Sequence, residues 1–169
     1  MCVVLLNLQK KLDEHRQSFK TRLVESLAAK HSISGNEVME QLGDSVDNLV
    51  GSRYAPLEQV VEAICAVPKP VLLNIMRDRQ LEDTCKICLA NEANIRVVDE
   101  KYGDSISIFE ISENKPAGAL YQVLFQGAPD EDKKMPLTAI IHNCDVKRVW
   151  AGKSVDSSVY ASLIKKALA

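Results

Sequence analysis

Val71-Leu72-Leu73-Asn74-Ile75-Met76, Cys85-Lys86-Ile87-Cys88 and Ser105-Ile106-Ser107-Ile108-Phe109-Glu110-Ile111 are the stretches on which the fold turns. The first is a short, nearly continuous apolar run, as expected of a strand covered on both faces. The third alternates, with its three isoleucines expected on one side, and reads as a second strand. Between them residues 80–101 read as a helix, with Leu81, Cys85, Cys88, Leu89, Ile95 and Val98 near one face and Tyr102-Gly103-Asp104 at its end. Two strands joined through a helix run parallel.

Toward the C-terminus, Ser112 to Lys115 forms a turn and Pro116 suits the first position of a helix carrying Ala119, Leu120, Val123 and Leu124. Residues 127–134 are a polar loop. Leu137 to His142 reads as a strand, Asn143-Cys144-Asp145 as a turn, and Val146 to Trp150 as the returning strand of a hairpin. After Gly152, residues 155–169 form a helix with Val159, Leu163, Ile164 and Leu168 inward. Toward the N-terminus, residues 57–66 suit a short helix stopped by Val67-Pro68-Lys69-Pro70. Gly51-Ser52-Arg53-Tyr54-Ala55-Pro56 is the expected break and domain boundary. Before it, residues 3–30 lack Gly and Pro, and Leu5, Leu8, Leu12, Phe19, Leu23 and Leu27 make one thin apolar stripe. His31 to Gly35 breaks that helix. Ser34 and Glu37 fit a capping box that starts a second helix faced by Val38, Leu42, Val46 and Leu49. Residues 1–51 are thus expected to be a helical hairpin extension, and residues 52–169 an α/β domain. A stripe this thin resembles a coiled-coil seam, so the hairpin is also a candidate for homodimer formation or partner binding.

The chain has 169 residues, 46% hydrophobic and 26% charged, with 21 basic against 23 acidic side chains and a net charge of −2. That is ordinary globular composition, without the basic field that a nucleic-acid backbone demands. Mean hydropathy is −0.09, and no apolar run reaches the ~18 residues of a membrane span. The apolar start at Met1 to Leu8 precedes its basic residues instead of following them, so no export signal is expected and the cytoplasm is the default. Five scattered cysteines (Cys2, Cys65, Cys85, Cys88 and Cys144) do not suggest a secreted disulfide framework. Only Cys85 and Cys88 form a motif, and Cys-x-x-Cys has three readings: a dithiol redox pair, half a zinc site, or two small buried hydrophobes. With Cys85 and Cys88, His142 and Cys144 offer four side chains of the types that zinc accepts.

Taken together, the co-linear order of these pieces resembles the thioredoxin-like fold over about residues 53–169. That fold is a central mixed sheet flanked by helices, to which the N-terminal helical hairpin is an addition. Cys85-Lys86-Ile87-Cys88 stands where that family opens a helix. Glu113-Asn114-Lys115-Pro116-Ala117 looks like its turn into the next helix, Met135-Pro136 like its cis-proline, and Val149-Trp150-Ala151-Gly152 like its closing strand. The resemblance implies that Cys85 is a nucleophile and Cys88 the resolving thiol. It further implies that Thr84 caps the helix start, that Lys86 adds positive charge, and that Met135 and Pro136 help bind an extended substrate. No bound cofactor and no metal are implied. The sequence departs from the family at several points. Thr84 replaces the usual Trp, Lys86-Ile87 the usual Gly-Pro, Asn74 the buried carboxylate, and Glu110 the strand lysine. If the helix began near Gln80, the cysteines would lie one turn inside it, buried and inert.

Two functions follow. One is thiol-disulfide exchange on a disulfide-containing protein through Cys85 and Cys88. The other is a non-catalytic adaptor that binds a protein partner, or itself, through residues 1–51. No catalytic triad order, P-loop or nucleotide-binding glycine motif is present.

Overall fold

The computed structural model of the chain describes residues 6–78, 80, 85–125 and 134–169. A short strand β1 (Leu6–Asn7) leads into helix α1 (Leu8–His31), where the Asn7 side chain accepts from the Lys10 amide. Residues 6 and 7 are therefore not helical, contrary to the expected start of the helix. Ser32 adopts φ 54° and ends α1. Ser34 and Glu37 then close the expected capping box around α2 (Gly35–Ala66), with Ser34 N to Glu37 Oε2 at 2.7 Å and Glu37 N to Ser34 Oγ at 3.2 Å.

Helix α2 corrects the sequence reading, because it runs unbroken through Gly51 and Pro56 across the expected boundary. An interior Pro costs a helix about 3 kcal/mol and a Gly about 1 kcal/mol. Opposing them, Val50, Tyr54, Leu57 and Val61 form one buried stripe at helical spacing. Each such side chain contributes about 1.5–3 kcal/mol on burial, so the continuous stripe prevails over the local breakers.

The remaining elements are β2 (Val71–Met76), α3 (Lys86–Tyr102), β3 (Ser107–Ser112), a 3-10 turn at Pro116–Ala119, α4 (Leu120–Leu124), β4 (Leu137–His142), β5 (Asp145–Ala151) and α5 (Ser157–Leu168). The sheet order is β1-β5-β4-β2-β3. β2 pairs with β3 in parallel and with β4 antiparallel, and β4 and β5 form the expected hairpin. Alternation of side chains divides the core. Leu73, Ile75, Ala139, Ile141 and Ile111 face a layer made by α1, α2 and α4. Leu72, Ile140 and Ile106 face α3 and α5, where Tyr160 meets Trp150 edge-on at 5.4 Å. Ile111 thus lies across the sheet from Ile106 and Ile108, as a two-residue period demands and contrary to the single-sided reading. This is a thioredoxin-like fold, a mixed five-stranded sheet flanked by helices, with α1 and the first part of α2 as its N-terminal helical hairpin.

That hairpin is docked on its own chain. Leu8 and Leu12 are fully buried in the same core as the sheet, and Phe19, Leu23 and Leu27 pack against it. His15 Nδ1 lies 2.6 Å from the Tyr54 hydroxyl, and Arg53 sits 4.3 Å above the Phe19 ring. Arg16 pairs with Glu58 and Lys20 with Asp47, also from α1 to α2. Leu5 lies outside the described residues.

Candidate active site

The carboxyl ends of β2 and β3 and the start of β4 meet at one end of the sheet. The Glu113 amide donates to Met76 O at 2.8 Å, which brings the turn after β3 against the end of β2. Leu137 pairs with Ile75, so Met135-Pro136 arrives beside the same strand end, and its peptide bond is cis. Gly152 closes this end of the hairpin, donating from N to Pro136 O at 2.9 Å. It holds φ +63°, and a Cβ there would stand 2.6 Å from Lys134 Cβ, so only glycine fits.

The loop leaving β2 delivers Cys85 to the start of α3. Cys85 is the N-cap residue: its Sγ accepts from Cys88 N at 3.1 Å and its carbonyl from Leu89 N at 3.1 Å. The helix therefore begins at Lys86, well after Gln80, and the reading that buries both cysteines inside a helix does not hold. Cys85 and Cys88 are joined by a disulfide. The two are unequally accessible, Cys85 being half-buried and Cys88 only 6% exposed. Lys86 and Ile87 are exposed between them. Met135 is half-buried and Pro136 buried at the same end of the sheet. Thr84, expected to cap the helix, lies outside the described residues.

Beneath α3 the sheet carries a buried polar cluster. Tyr160 Oη is 2.8 Å from Asn91 Oδ1 and 3.1 Å from Thr138 Oγ1, and Val155 N donates to Asn91 Oδ1 at 3.0 Å. Burial pushes the Tyr160 hydroxyl above its ordinary pKa, so it stays protonated and can donate. Asn74 stands opposite Thr138 in the register, fully buried, and neither of its side-chain polar atoms has a hydrogen-bond partner among the described residues. No ionisable group replaces the carboxylate at that position.

A second disulfide, Cys65–Cys144, joins the end of α2 to the β4–β5 turn at the opposite end of the sheet. Sequence reasoning missed it, since 79 positions separate the two cysteines and neither sits in a local motif. It also removes Cys144 from any zinc site, and no cluster among the described residues could hold a metal ion. No described helix is long and apolar enough to cross a membrane.

No protein-family model matches the chain, and no curated protein matches it. Several solved structures are similar to it. One is titled a malarial protein, at 18% identity and TM-score 0.44, covering 60% of this chain and 99% of that one. Another is thioredoxin-2, described as a component of the malaria parasite protein secretion machinery, at 16% identity and TM-score 0.45, covering 58% and 82%. A third is chloroplastic thioredoxin z, at 14% identity and TM-score 0.49, covering 66% and 88%. The strand order and the two helical layers define the thioredoxin-like fold of this chain.

Proposed function

We propose that the chain is a dithiol-disulfide oxidoreductase acting on protein disulfides through Cys85 and Cys88. The observation that carries this reading is the asymmetry of the pair, a reachable Cys85 at the helix N-cap bonded to a buried Cys88. In the reduced protein, the amides opening α3 and the helix dipole favour the Cys85 thiolate, and Lys86 adds a positive charge beside it. That thiolate attacks one sulfur of the partner disulfide, and the other sulfur leaves with the bonding electron pair. Cys88, after losing its proton to solvent, attacks Cys85 Sγ and releases the partner's second thiolate. The products are the Cys85–Cys88 disulfide and a reduced partner, with two electrons transferred and no cofactor needed. Met135 and Pro136 would receive an extended segment of the partner across the same end of the sheet, with Thr84 as a further substrate contact.

The helical hairpin enters this reading as a support for the fold, because its apolar stripe is already buried against α2 and the sheet. As for the compartment, the Cys65–Cys144 bond, which lies outside the exchanging pair, favours an oxidising location over the reducing cytoplasm expected from the sequence.

The test is insulin reduction with a dithiol as electron source. Wild-type protein should be active and Cys85→Ser inactive, and Cys88→Ser should accumulate a mixed disulfide with the substrate. A wild-type protein that reduces no protein disulfide would sink the proposal.

A further inference from the structure

A cavity of about 450 Å³ opens beside Met135, between the turn after β3 and the 3-10 turn that begins at Pro116. It exists because Gly118 lets these two turns approach. A Cβ at Gly118 would stand 2.5 Å from Glu113 O and 2.7 Å from Ser112 O. Tyr121 lines the cavity, is only 7% exposed, and its hydroxyl has no hydrogen-bond partner among the described residues. An unpartnered buried hydroxyl costs free energy, and its placement on a cavity wall suits a ligand that supplies the missing bond.

The charges around the cavity narrow the ligand class. Glu113 lies on its wall, and its carboxylate helps to hold the Tyr121 hydroxyl above its ordinary pKa, after the larger effect of burial. Lys115 also lines the cavity but is exposed, and its charge adds only a minor lowering to the Asp78 carboxyl, after the hydrogen bonds from Gln80 N and Asn114. Asn114 Nδ2 is committed to the same Asp78 at 2.8 Å. Arg77 reaches Glu113 only at 4.0 Å, the edge of ion-pair contact. The inner wall thus offers a carboxylate and a hydroxyl oxygen.

We propose that this cavity is a specificity subsite that receives a lysine or arginine side chain from the segment lying across Met135-Pro136, held between the Glu113 carboxylate and the Tyr121 hydroxyl. This deepens the exchange reading of Cys85 and Cys88 and rests on it, since the segment is taken to carry the disulfide being exchanged.

The probe is a set of short peptides whose single cysteine is a mixed disulfide with thionitrobenzoate and whose flanking residue is Lys, norleucine or Glu. In the Cys88→Ser background, Cys85 attacks the peptide sulfur and thionitrobenzoate leaves as the coloured thiolate, whose release is timed. The Lys peptide should react roughly tenfold faster than the norleucine peptide at low concentration, and the Glu peptide more slowly than either; a tenfold ratio corresponds to about 1.4 kcal/mol. In Glu113→Gln the Lys-to-norleucine ratio should fall toward one, and in Tyr121→Phe it should fall partway. Each ratio is taken within one variant, so a general loss of activity cancels. A wild-type ratio near one, or a ratio unchanged in Glu113→Gln, overturns the subsite. If Cys85 reacts with no peptide, the exchange reading fails instead. Fluorescence anisotropy with cysteine-free Lys and norleucine peptides then decides the subsite alone, and equal binding of the two overturns it.

Discussion

Asn74 is the residue whose chemistry and surroundings agree least. It occupies the middle of β2 between Leu73 and Ile75, fully buried, with its amide nitrogen and oxygen both lacking partners among the described residues. A buried polar group left unpaired costs about 1–3 kcal/mol. Leucine has the same branched four-atom skeleton and no polar atoms. Asn74→Leu should therefore raise the urea midpoint, with a gain of about 1–3 kcal/mol in unfolding free energy. A loss of stability would mean that the amide is bonded, for instance to buried water. The position was legible in the sequence as a lone polar residue in an apolar strand. Its lack of partners was not, because what faces it, Thr138 and the layer of α3 and α5, is distant in the chain.

Among the elements, α1 shows how the same pattern can serve two architectures. A stripe of Leu8, Leu12, Phe19, Leu23 and Leu27 fits a seam between chains and equally a layer within one chain. In the structure Leu12 is 1% exposed, inside the core that α2 and the sheet share. A charge there would be buried without a partner, so Leu12→Asp should cost about 3 kcal/mol or more and lower the melting temperature of the whole protein. Light scattering and thermal unfolding on the same samples provide the check. If Leu12→Asp instead halves the particle mass and leaves the melting temperature unchanged, the stripe joins two chains. Pro56 makes a parallel point for α2. A local helix breaker was visible, but the continuous burial of Val50, Tyr54, Leu57 and Val61 that overrides it was not.

At the scale of the whole molecule, the start of α1 and the end of α2 are both tied to one turn of the sheet, the end of α2 through the Cys65–Cys144 bond. Leu8 N donates to Cys144 O at 2.7 Å, β1 pairs with β5 beside that turn, and Cys65 closes α2 onto it. Removing a cross-link over 79 positions frees the unfolded chain, and bonds of this kind typically contribute about 2–4 kcal/mol. The double variant Cys65→Ser, Cys144→Ser should lose that much unfolding free energy in urea while keeping Cys85 and Cys88 intact. An unchanged midpoint, with no Cys65–Cys144 peptide in a non-reducing digest, would show that the bond does not form.

By itself the sequence determined the alternation of strands and helices after residue 70, the Ser34–Glu37 cap and the Cys85/Cys88 pair. These are local signals, carried by residues within a few positions of each other. Only the tertiary structure decided that Cys85 caps α3 while Cys88 is buried, that α2 passes through Pro56, that Cys65 meets Cys144, and that Tyr121 faces a cavity beside Glu113. Each of these depends on which surfaces the folded chain brings together and removes from water. The burial of residues far apart in sequence outweighs the local preference at each point.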